Sequence, residues 1–266
     1  MPYTGVRTYY SRIYEAKFLA GAIAAAVSRD DVLGYVADYP IYGVPASINA
    51  FALGARMVNP KARVRVAWSC VSDDPYEIFK NEGVRTITNR ELPSPDDSNW
   101  SRNQGTYRVQ EDGSILAIGS PAWNWGTFYE KVLTTILTGA WDSLGAKDGS
   151  KAVGYWWGMD SGVIDVQLSQ DLPEGVLCLA KSLRRDMMDN TIDPFNFTMV
   201  DQDGVVRSDR SHPLSPEEIM SMDWLLDSVD GRIPGFDELK PISKNLVRVL
   251  GVYRDQIPPE KEGVLL

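Results

Sequence analysis

Residues 32–88 alternate between strand and helix patterns, and this alternation constrains the fold more than any other feature of the sequence. The first segment, Val32–Ala37, is a continuous apolar run, typical of a strand that is covered on both faces. The later helical and strand-like segments are 44–58, 63–69, 73–81 and 84–88. Strand, helix, strand, helix, strand in this order predicts parallel strands joined by right-handed crossovers, and therefore an α/β fold.

Further helix and strand patterns lie on both sides of this unit. Residues 11–28 carry apolar side chains at helical spacing after Ser11, a residue type that caps helices. After a polar loop at 92–105, residues 107–116 predict a hairpin that turns at Asp112-Gly113. The remaining predicted elements are helices at 127–138, 173–190, 215–229 and 242–250, and strands at 154–158, 163–166, 195–200 and 205–206.

The length and net charge of the chain indicate which classes of binding partner are expected. The chain has 266 residues, enough for one large α/β domain or two lobes, and its net charge of −9 argues against nucleic acid or an anionic membrane as the main partner. A small ligand or a protein fits better. The most apolar segment, 18–27, is too short to cross a bilayer. Cys70 and Cys178 lie in apolar settings and are expected to be buried free thiols.

The sequence lacks the residue patterns of common catalytic and metal sites. His212 is the single histidine and lies in a polar loop, which excludes histidine triads and multi-histidine metal sites. Residues 201–204 resemble a calcium loop only loosely, because no glutamate follows at the required spacing. No phosphate-binding glycine loop or serine elbow is present. We therefore expect no cofactor, no metal and no enzyme activity.

Aromatic and polar residues follow several predicted strands, and these are the candidate ligand contacts. Loops at the carboxyl ends of parallel strands line the ligand crevice of open α/β sheets. Aromatic rings supply apolar area for a flat ligand, while amides and carboxylates fix its orientation. Ser72, Asp73 and Glu91 occupy such loops, and the predicted ligand-binding set is Asp38, Tyr39, Asn89, Arg90, Tyr107, Trp123, Asn124, Trp125, Trp157 and Asp160.

Several candidates also have a structural alternative. Trp156-Trp157 in an apolar run is more often one core and one interface tryptophan than a pair that stacks on a ligand. Trp123 and Trp125 can pack two lobes together, Asp160 can hold a turn between glycines, and Asn89-Arg90-Glu91 can form a solvated loop.

Several stretches together resemble the basic membrane protein family, the purine-nucleoside-receptor-like substrate-binding proteins of ABC importers. They occur in the family's order over roughly residues 6–234. The stretches are 12–21, 34–37, 49–56 with 58–60, 121–126, 155–159 and 222–224.

The resemblance implies a type I periplasmic-binding-protein fold, with two Rossmann-like lobes of parallel sheet and a ligand held between them. By matching motifs, residues 1–31 and 150–234 would form the remainder of the first lobe with the hinge, 32–149 the second lobe, and 235–266 a C-terminal extension. Trp123, Asn124 and Trp125 would then lie at the mouth of the cleft. Family members bind nucleosides by stacking the base and gripping the ribose with acidic and polar groups.

The chain departs from the family pattern in three places. It starts at the last helix of the first lobe, so that lobe is expected to be incomplete, and it carries no lipoprotein cysteine or export signal, which leaves a cytoplasmic location open. The family's Gly-Val-Asp-x-Asp segment is replaced by residues 89–95 and 105–108.

These features lead to one expected function and one alternative. The expected function is non-enzymatic binding of a nucleoside-like small molecule, with the membrane subunits of an ABC transporter as further partners. The alternative is an intracellular regulatory or protein-interaction module that reuses the fold. Because an incomplete lobe would expose a sheet edge, we also expect a homodimer.

Overall fold

The main sheet has strands of both parallel and antiparallel orientation. The computed structural model describes residues 9–72, 74–89, 105–140, 155–209, 211–253 and 256–257. The strands are β1 (Tyr9–Ser11), β2 (Val32–Ala37), β3 (Arg63–Trp68), β4 (Thr86–Thr88), β5 (Thr106–Val109), β6 (Ile115–Trp123), β7 (Tyr155–Trp157), β8 (Ile164–Leu168), β9 (Met199–Val200), β10 (Val206–Ser208) and β11 (Val229–Asp230). Seven of them form the main sheet in the order β11-β3-β2-β4-β5-β6-β8.

The predicted βαβαβ unit is present with parallel strands. Strand β2 pairs in parallel with both β3 and β4, and β11 pairs in parallel with β3 on its other side. Strands β5, β6 and β8 extend the sheet beyond β4, and each is antiparallel to the strand before it in the sheet. The α/β class and the parallel strands expected from the sequence are therefore confirmed.

The helices flank this sheet and bury most of its apolar residues. They are α1 (Ile13–Val27), α2 (Val44–Val58), α3 (Pro75–Glu82), α4 (Trp125–Leu137), α5 (Glu174–Met188), α6 (Pro216–Met220) and α7 (Pro241–Leu250). Helices α1 and α2 pack against each other at Gly21 and Gly54 within the larger core cluster. A smaller cluster includes Phe79 of α3, Val36 of β2 and Tyr107 of β5.

Two smaller sheets complete the fold. Strands β1 and β7 pair in parallel, with Tyr9 opposite Tyr155 and Ser11 opposite Trp157. Strands β9 and β10 form an antiparallel hairpin, where the sequence predicted strands at 195–200 and 205–206. The predicted hairpin turn at Asp112-Gly113 is also present, and Gly113 adopts a φ of 82° there.

Three local predictions were wrong. Ser11, expected to cap the first helix, lies in β1, and Arg12 precedes the helix without a side-chain capping hydrogen bond. The helix expected at 215–229 ends at Met220, because the chain then extends so that the Leu226 N–H donates to the Asn49 Oδ1 at 2.9 Å, and Val229 lies in β11. Cys178 was expected to be buried, but it lies on an exposed position of α5, whereas Cys70 is buried as predicted. Apolar neighbours in sequence did not reveal which face of the helix points inward.

The division into two lobes stays a prediction. Helix α1, assigned to the first lobe, lies in the same core cluster as α2. Strands β8 and β11, also assigned to that lobe, lie in the same sheet as β2 and β6. None of the helices in the described part of the chain has the length and apolar character needed to cross a membrane.

Candidate functional site

Five strands of the main sheet, β2, β3, β4, β6 and β11, end at the same edge, which we call the carboxyl edge. Strands β2, β3 and β4 are parallel and end there at Ala37, Trp68 and Thr88. Because β5 is antiparallel to β4 and β6 is antiparallel to β5, β6 also ends at this edge, at Trp123. The loops that follow these strands carry most of the predicted ligand contacts, as the topological argument requires.

One group of polar residues surrounds the ends of β2 and β3. Asp38 and Tyr39 are half-buried directly after β2. The Ser69 hydroxyl after β3 donates to the Asp38 Oδ1 at 3.4 Å. The Lys240 ammonium donates to the Ser69 and Ser72 carbonyl oxygens at 3.0 and 2.8 Å, which holds the loop after β3 against the start of α7.

A buried lysine supports the end of β4. Lys17 of α1 is fully buried, and its ammonium donates to the Asn89 carbonyl oxygen at 2.8 Å and lies 5.0 Å from the centre of the Tyr35 ring. Asn89 is also fully buried, and its Oδ1 accepts from the Tyr76 hydroxyl at 2.7 Å. Because a buried charge is stable only with partners of this kind, the Lys17 contact fixes the course of the chain after β4.

A cluster of aromatic rings covers the end of β6. Trp125 at the start of α4 is 43% exposed, and its ring packs edge-on against Tyr9 and Phe128, with centroid distances of 6.3 and 5.7 Å. Phe128 in turn contacts Trp157 at 5.5 Å, and Trp157 contacts Tyr155 at 4.5 Å. Trp125 and Trp157 therefore belong to one group of rings with an open side.

Asn124 holds the corner between β6 and α4. Its backbone N–H donates to the Val163 carbonyl and its Nδ2 donates to the Gly162 carbonyl, both at 2.8 Å. The side chain is exposed, while that of Trp123 is half-buried and packs against the main core. Of the three corner residues, Asn124 and Trp125 face solvent and Trp123 serves mainly in packing.

An ion-pair cluster fixes the segment that carries Asp160. Arg12 binds Asp160, and its Nε lies 2.9 Å from the Glu15 Oε1. The Glu15 Oε2 accepts from the Met159 N–H at 2.6 Å. A Cβ on Gly158 would lie only 2.3 Å from the Glu15 Oε2, so only a glycine fits at this position beside the cluster.

The two carboxylates of this cluster titrate in opposite directions. Burial raises the pKa of Glu15 to about 7, against the opposing effects of Arg12 and of the Met159 N–H. Burial also acts to raise the pKa of Asp160, but the hydrogen bond and charge of Arg12, together with hydrogen bonds from the Ser161 N–H and the Asn190 side chain, outweigh it, and the pKa lies below the ordinary value. Sequence reasoning missed Glu15 and Lys17, although two charged residues in an otherwise apolar helix were a usable signal.

The raised pKa of Glu15 predicts a stability that falls with rising pH. Between pH 4.5 and about 7 the folded chain holds a proton on Glu15 that the unfolded chain has released, so this residue lowers the unfolding free energy across that window. The loss amounts to ~3 kcal/mol at most. In Glu15→Gln, this pH-dependent loss of unfolding free energy is expected to disappear. Urea unfolding of both proteins at pH 5 and pH 7.5 measures the difference.

A matched control for this prediction is Glu77→Gln, which changes an exposed residue of α3. This variant is expected to keep the pH dependence of the unmodified chain. An unchanged slope in Glu15→Gln would contradict the assignment.

The predicted contacts fall into two groups along the carboxyl edge. Asp38, Tyr39 and Asn89 follow β2 and β4, whereas Trp123, Asn124, Trp125, Trp157 and Asp160 gather at the end of β6. Strands β2 and β6 are three strand spacings apart, about 14 Å.

Two predicted contacts lie elsewhere. Tyr107 is 4% exposed and packs in the smaller core cluster, so its burial disfavours the predicted ligand contact. Arg90, together with Asp73 and Glu91, lies outside the described residues. In the part of the chain that the structure describes, no group of histidine, cysteine or acidic residues could hold a metal ion.

Comparison with known proteins agrees with the motifs in the sequence. Residues 4–77 match the model of a family described as ABC transporter substrate-binding protein, PnrA-like. The resemblance to the basic membrane protein family is confirmed. The matched residues 4–77 contain three of the family's motifs, at 12–21, 34–37 and 49–60.

Two curated relatives extend the similarity. A putative ABC transporter glucose-binding protein of Haloferax volcanii is 32% identical over 210 residues, which cover 70% of this chain and 51% of the relative. A purine-binding protein of Brucella abortus is 25% identical over 247 residues, which cover 85% of this chain and 65% of the relative. The chain thus spans about half to two thirds of the length of these relatives.

Solved structures give weaker matches. An ABC transporter solute-binding protein from Conexibacter woesei matches with a TM-score of 0.46 at 10% identity, over 70% of this chain and 64% of that one. A transcriptional activator of the comK gene from Bacillus halodurans matches with a TM-score of 0.46 at 15% identity, over 70% and 66%. The relationship to the basic membrane protein family therefore rests on the sequence matches.

Proposed function

We propose that this chain binds a ring-bearing small molecule, nucleoside-like in chemistry, at the carboxyl edge of its sheet, as the substrate-binding component of an ABC transporter. The observation that carries the proposal is the group of aromatic rings at the end of β6. Trp125 leaves 43% of its surface exposed there, beside the exposed amide of Asn124. A flat ligand needs this combination of ring surface and polar group.

The surroundings of Trp125 favour binding over catalysis. The Asn124 amide is anchored by its bond to Gly162, and Asp160 is anchored by Arg12, so both polar groups are held in place before a ligand arrives. Preorganised groups of this kind lower the entropic cost of binding. The chain needs only to hold its ligand, and the proposal therefore contains no chemical step.

The names of the two curated relatives point to two classes of ligand, purines and sugars. One relative is named for purine binding and the other for glucose binding. Exposed indole rings can stack on a purine base and can also cover the apolar face of a sugar. We favour the nucleoside, because the rings around Trp125 are joined edge-on and leave a broad aromatic face for a base.

The partners follow from the same proposal. The membrane subunits of an ABC transporter would receive the ligand-loaded chain. The homodimer expected from the sequence stays a prediction. It is supported by an exposed apolar face on α4, formed by Tyr129, Leu133, Ile136 and Leu137.

Removing the exposed indole is expected to weaken ligand binding. Isothermal titration with adenosine, guanosine, inosine, adenine and glucose will first identify the ligand class. For the nucleoside that binds, Trp125→Ala should lose ~1–3 kcal/mol of binding free energy, which is roughly a 5- to 150-fold rise in Kd.

The matched control lies on the same helix. Leu137→Ala changes a residue that is 85% exposed at the far end of α4, about 18 Å away. This variant is expected to bind as the unmodified chain does. Absence of binding across the panel would contradict the proposal, and binding of glucose alone would contradict its nucleoside part. Conversion of the bound nucleoside, followed by chromatography, would contradict the non-enzymatic part.

A further inference from the structure

A cavity of about 590 Å³ opens at the amino edge of the main sheet, opposite to the carboxyl edge. The end of α1, the residue before β4 and the hairpin between β5 and β6 line it. Three arginines are part of this lining: Arg29, Arg85 and Arg108. The volume lies in the range of small-molecule sites, ~300–1,000 Å³.

The hydrogen bonds of these arginines leave most of their donors available. Arg108 is 8% exposed, and its Nη1 donates to the carbonyl oxygen of Val27, the last residue of α1, at 2.8 Å. A guanidinium has five N–H groups, so this bond accounts for one of them. The Arg85 Nη1 lies 4.0 Å from a carboxylate oxygen of Glu111, whose side chain is 82% exposed. Such an exposed pair contributes little.

Two carboxylates, Glu111 and Asp112, also line the cavity, so three arginines and two carboxylates leave it a net charge of +1. Asp112 is turned toward Ser114, whose N–H and hydroxyl donate to its Oδ1 at 2.9 and 2.6 Å. Across the described ranges, neither Arg29 nor Arg108 has a carboxylate within ion-pair distance. Seven other arginines of this acidic chain do have one: Arg12, Arg56, Arg63, Arg65, Arg184, Arg207 and Arg232.

The geometry points to an anion site: this cavity binds a small organic molecule that carries a phosphate or carboxylate group. The oxygens of that group would accept from the guanidinium N–H groups, which suit two-pronged binding of such oxyanions. The cavity lies at the opposite edge from Trp125. The anion site is therefore independent of the proposed ring-binding function and can be tested separately.

Isothermal titration with inorganic pyrophosphate and with succinate, at low ionic strength, tests the site. The unmodified chain is expected to bind at least one of them with a Kd in the millimolar range or below. The double variant Arg29→Gln/Arg85→Gln should weaken this binding by about ten-fold or more, since it removes two exposed guanidiniums. Pyrophosphate and succinate together show whether phosphate or carboxylate is preferred.

Two further variants distinguish binding at this site from an effect of overall charge and from the role of Arg108 at the end of α1. Arg185→Gln removes an exposed charge from α5 and is expected to leave binding unchanged. Arg108→Lys keeps one donor for the Val27 carbonyl but loses the forked geometry, so binding should weaken several-fold with little change in Tm.

Three results would overturn the inference. They are absence of saturable binding of either anion, an equal loss of binding in Arg185→Gln, and unchanged binding in the double variant. The last result would leave the arginines as partners of the negative end of α1 alone.

Discussion

The Gly54→Ala variant is expected to lose about 3 kcal/mol of unfolding free energy, because the added methyl group has no space. A Cβ at Gly54 of α2 would lie 1.9 Å from the Phe18 carbonyl oxygen of α1. The contact is with backbone, so no side-chain rotation can relieve it, and the two helices would have to move apart. Urea unfolding of both proteins, followed by circular dichroism, measures the difference.

The control for this prediction uses the same substitution in a different helix. Gly126 lies in the first turn of α4, and a Cβ there would have no atom within 4 Å. Gly126→Ala is therefore expected to leave stability unchanged or to raise it by up to ~1 kcal/mol, through the higher helix propensity of alanine. Equal stabilities of the two variants would show that α1 and α2 separate without cost.

The same contact explains why both helices lie at the centre of the core. A Cβ at Gly21 of α1 would lie 2.0 Å from the Phe51 carbonyl oxygen of α2, so each helix offers a glycine to the backbone of the other. Close approach of the backbones lets Phe18, Leu19 and Phe51 become fully buried. The sequence predicted both helices from their periodicity, but it could not show that their glycines face each other.

Local periodicity predicted the elements of this fold better than it predicted their ends. The order of strands and helices from 32 to 88 was correct, because each segment has a pattern that is visible within its own length. The helix expected to continue to residue 229 stops at Met220, since Asn49, far away in sequence, binds the chain that follows. Tertiary contacts of this kind leave no local signal.

The positions of the candidate site residues were also only partly predictable from the sequence. The rule that parallel strands direct their following loops to one edge correctly placed Asp38, Asn89 and Trp123 at the ends of β2, β4 and β6. It could not show that two further strand spacings separate the β4 and β6 ends, because the antiparallel insertion of β5 depends on pairing rather than on pattern. Burial of Tyr107 was hidden for the same reason.

Asn49 connects α2 to the segment before β11, and its loss is expected to destabilise the chain strongly. The residue is fully buried. Its Oδ1 accepts from the Leu226 N–H at 2.9 Å, and its Nδ2 donates to the Trp224 carbonyl oxygen and to the Met222 sulfur, each at 3.0 Å. The structure thus joins two motifs of the family resemblance, 49–56 and 222–224.

Asn49→Leu preserves the size of the side chain but leaves the Leu226 N–H and the Trp224 carbonyl without this partner. Each lost partner costs ~1–3 kcal/mol in a buried setting, so we expect a loss of about 4 kcal/mol of unfolding free energy. Asn59→Leu at the end of the same helix is the matched control. Its amide binds Asp31 at an exposed position, and a loss below ~1 kcal/mol is expected.

The two variants together test whether the Asn49 bonds hold the segment at 222–226. Hydrogen exchange at the Leu226 amide should become much faster in Asn49→Leu under native conditions, because local opening no longer breaks a buried hydrogen bond. In Asn59→Leu the exchange rate should not change. A slow Leu226 amide in Asn49→Leu would mean that packing of Leu225 and Leu226, both 2% exposed, holds the segment without the amide.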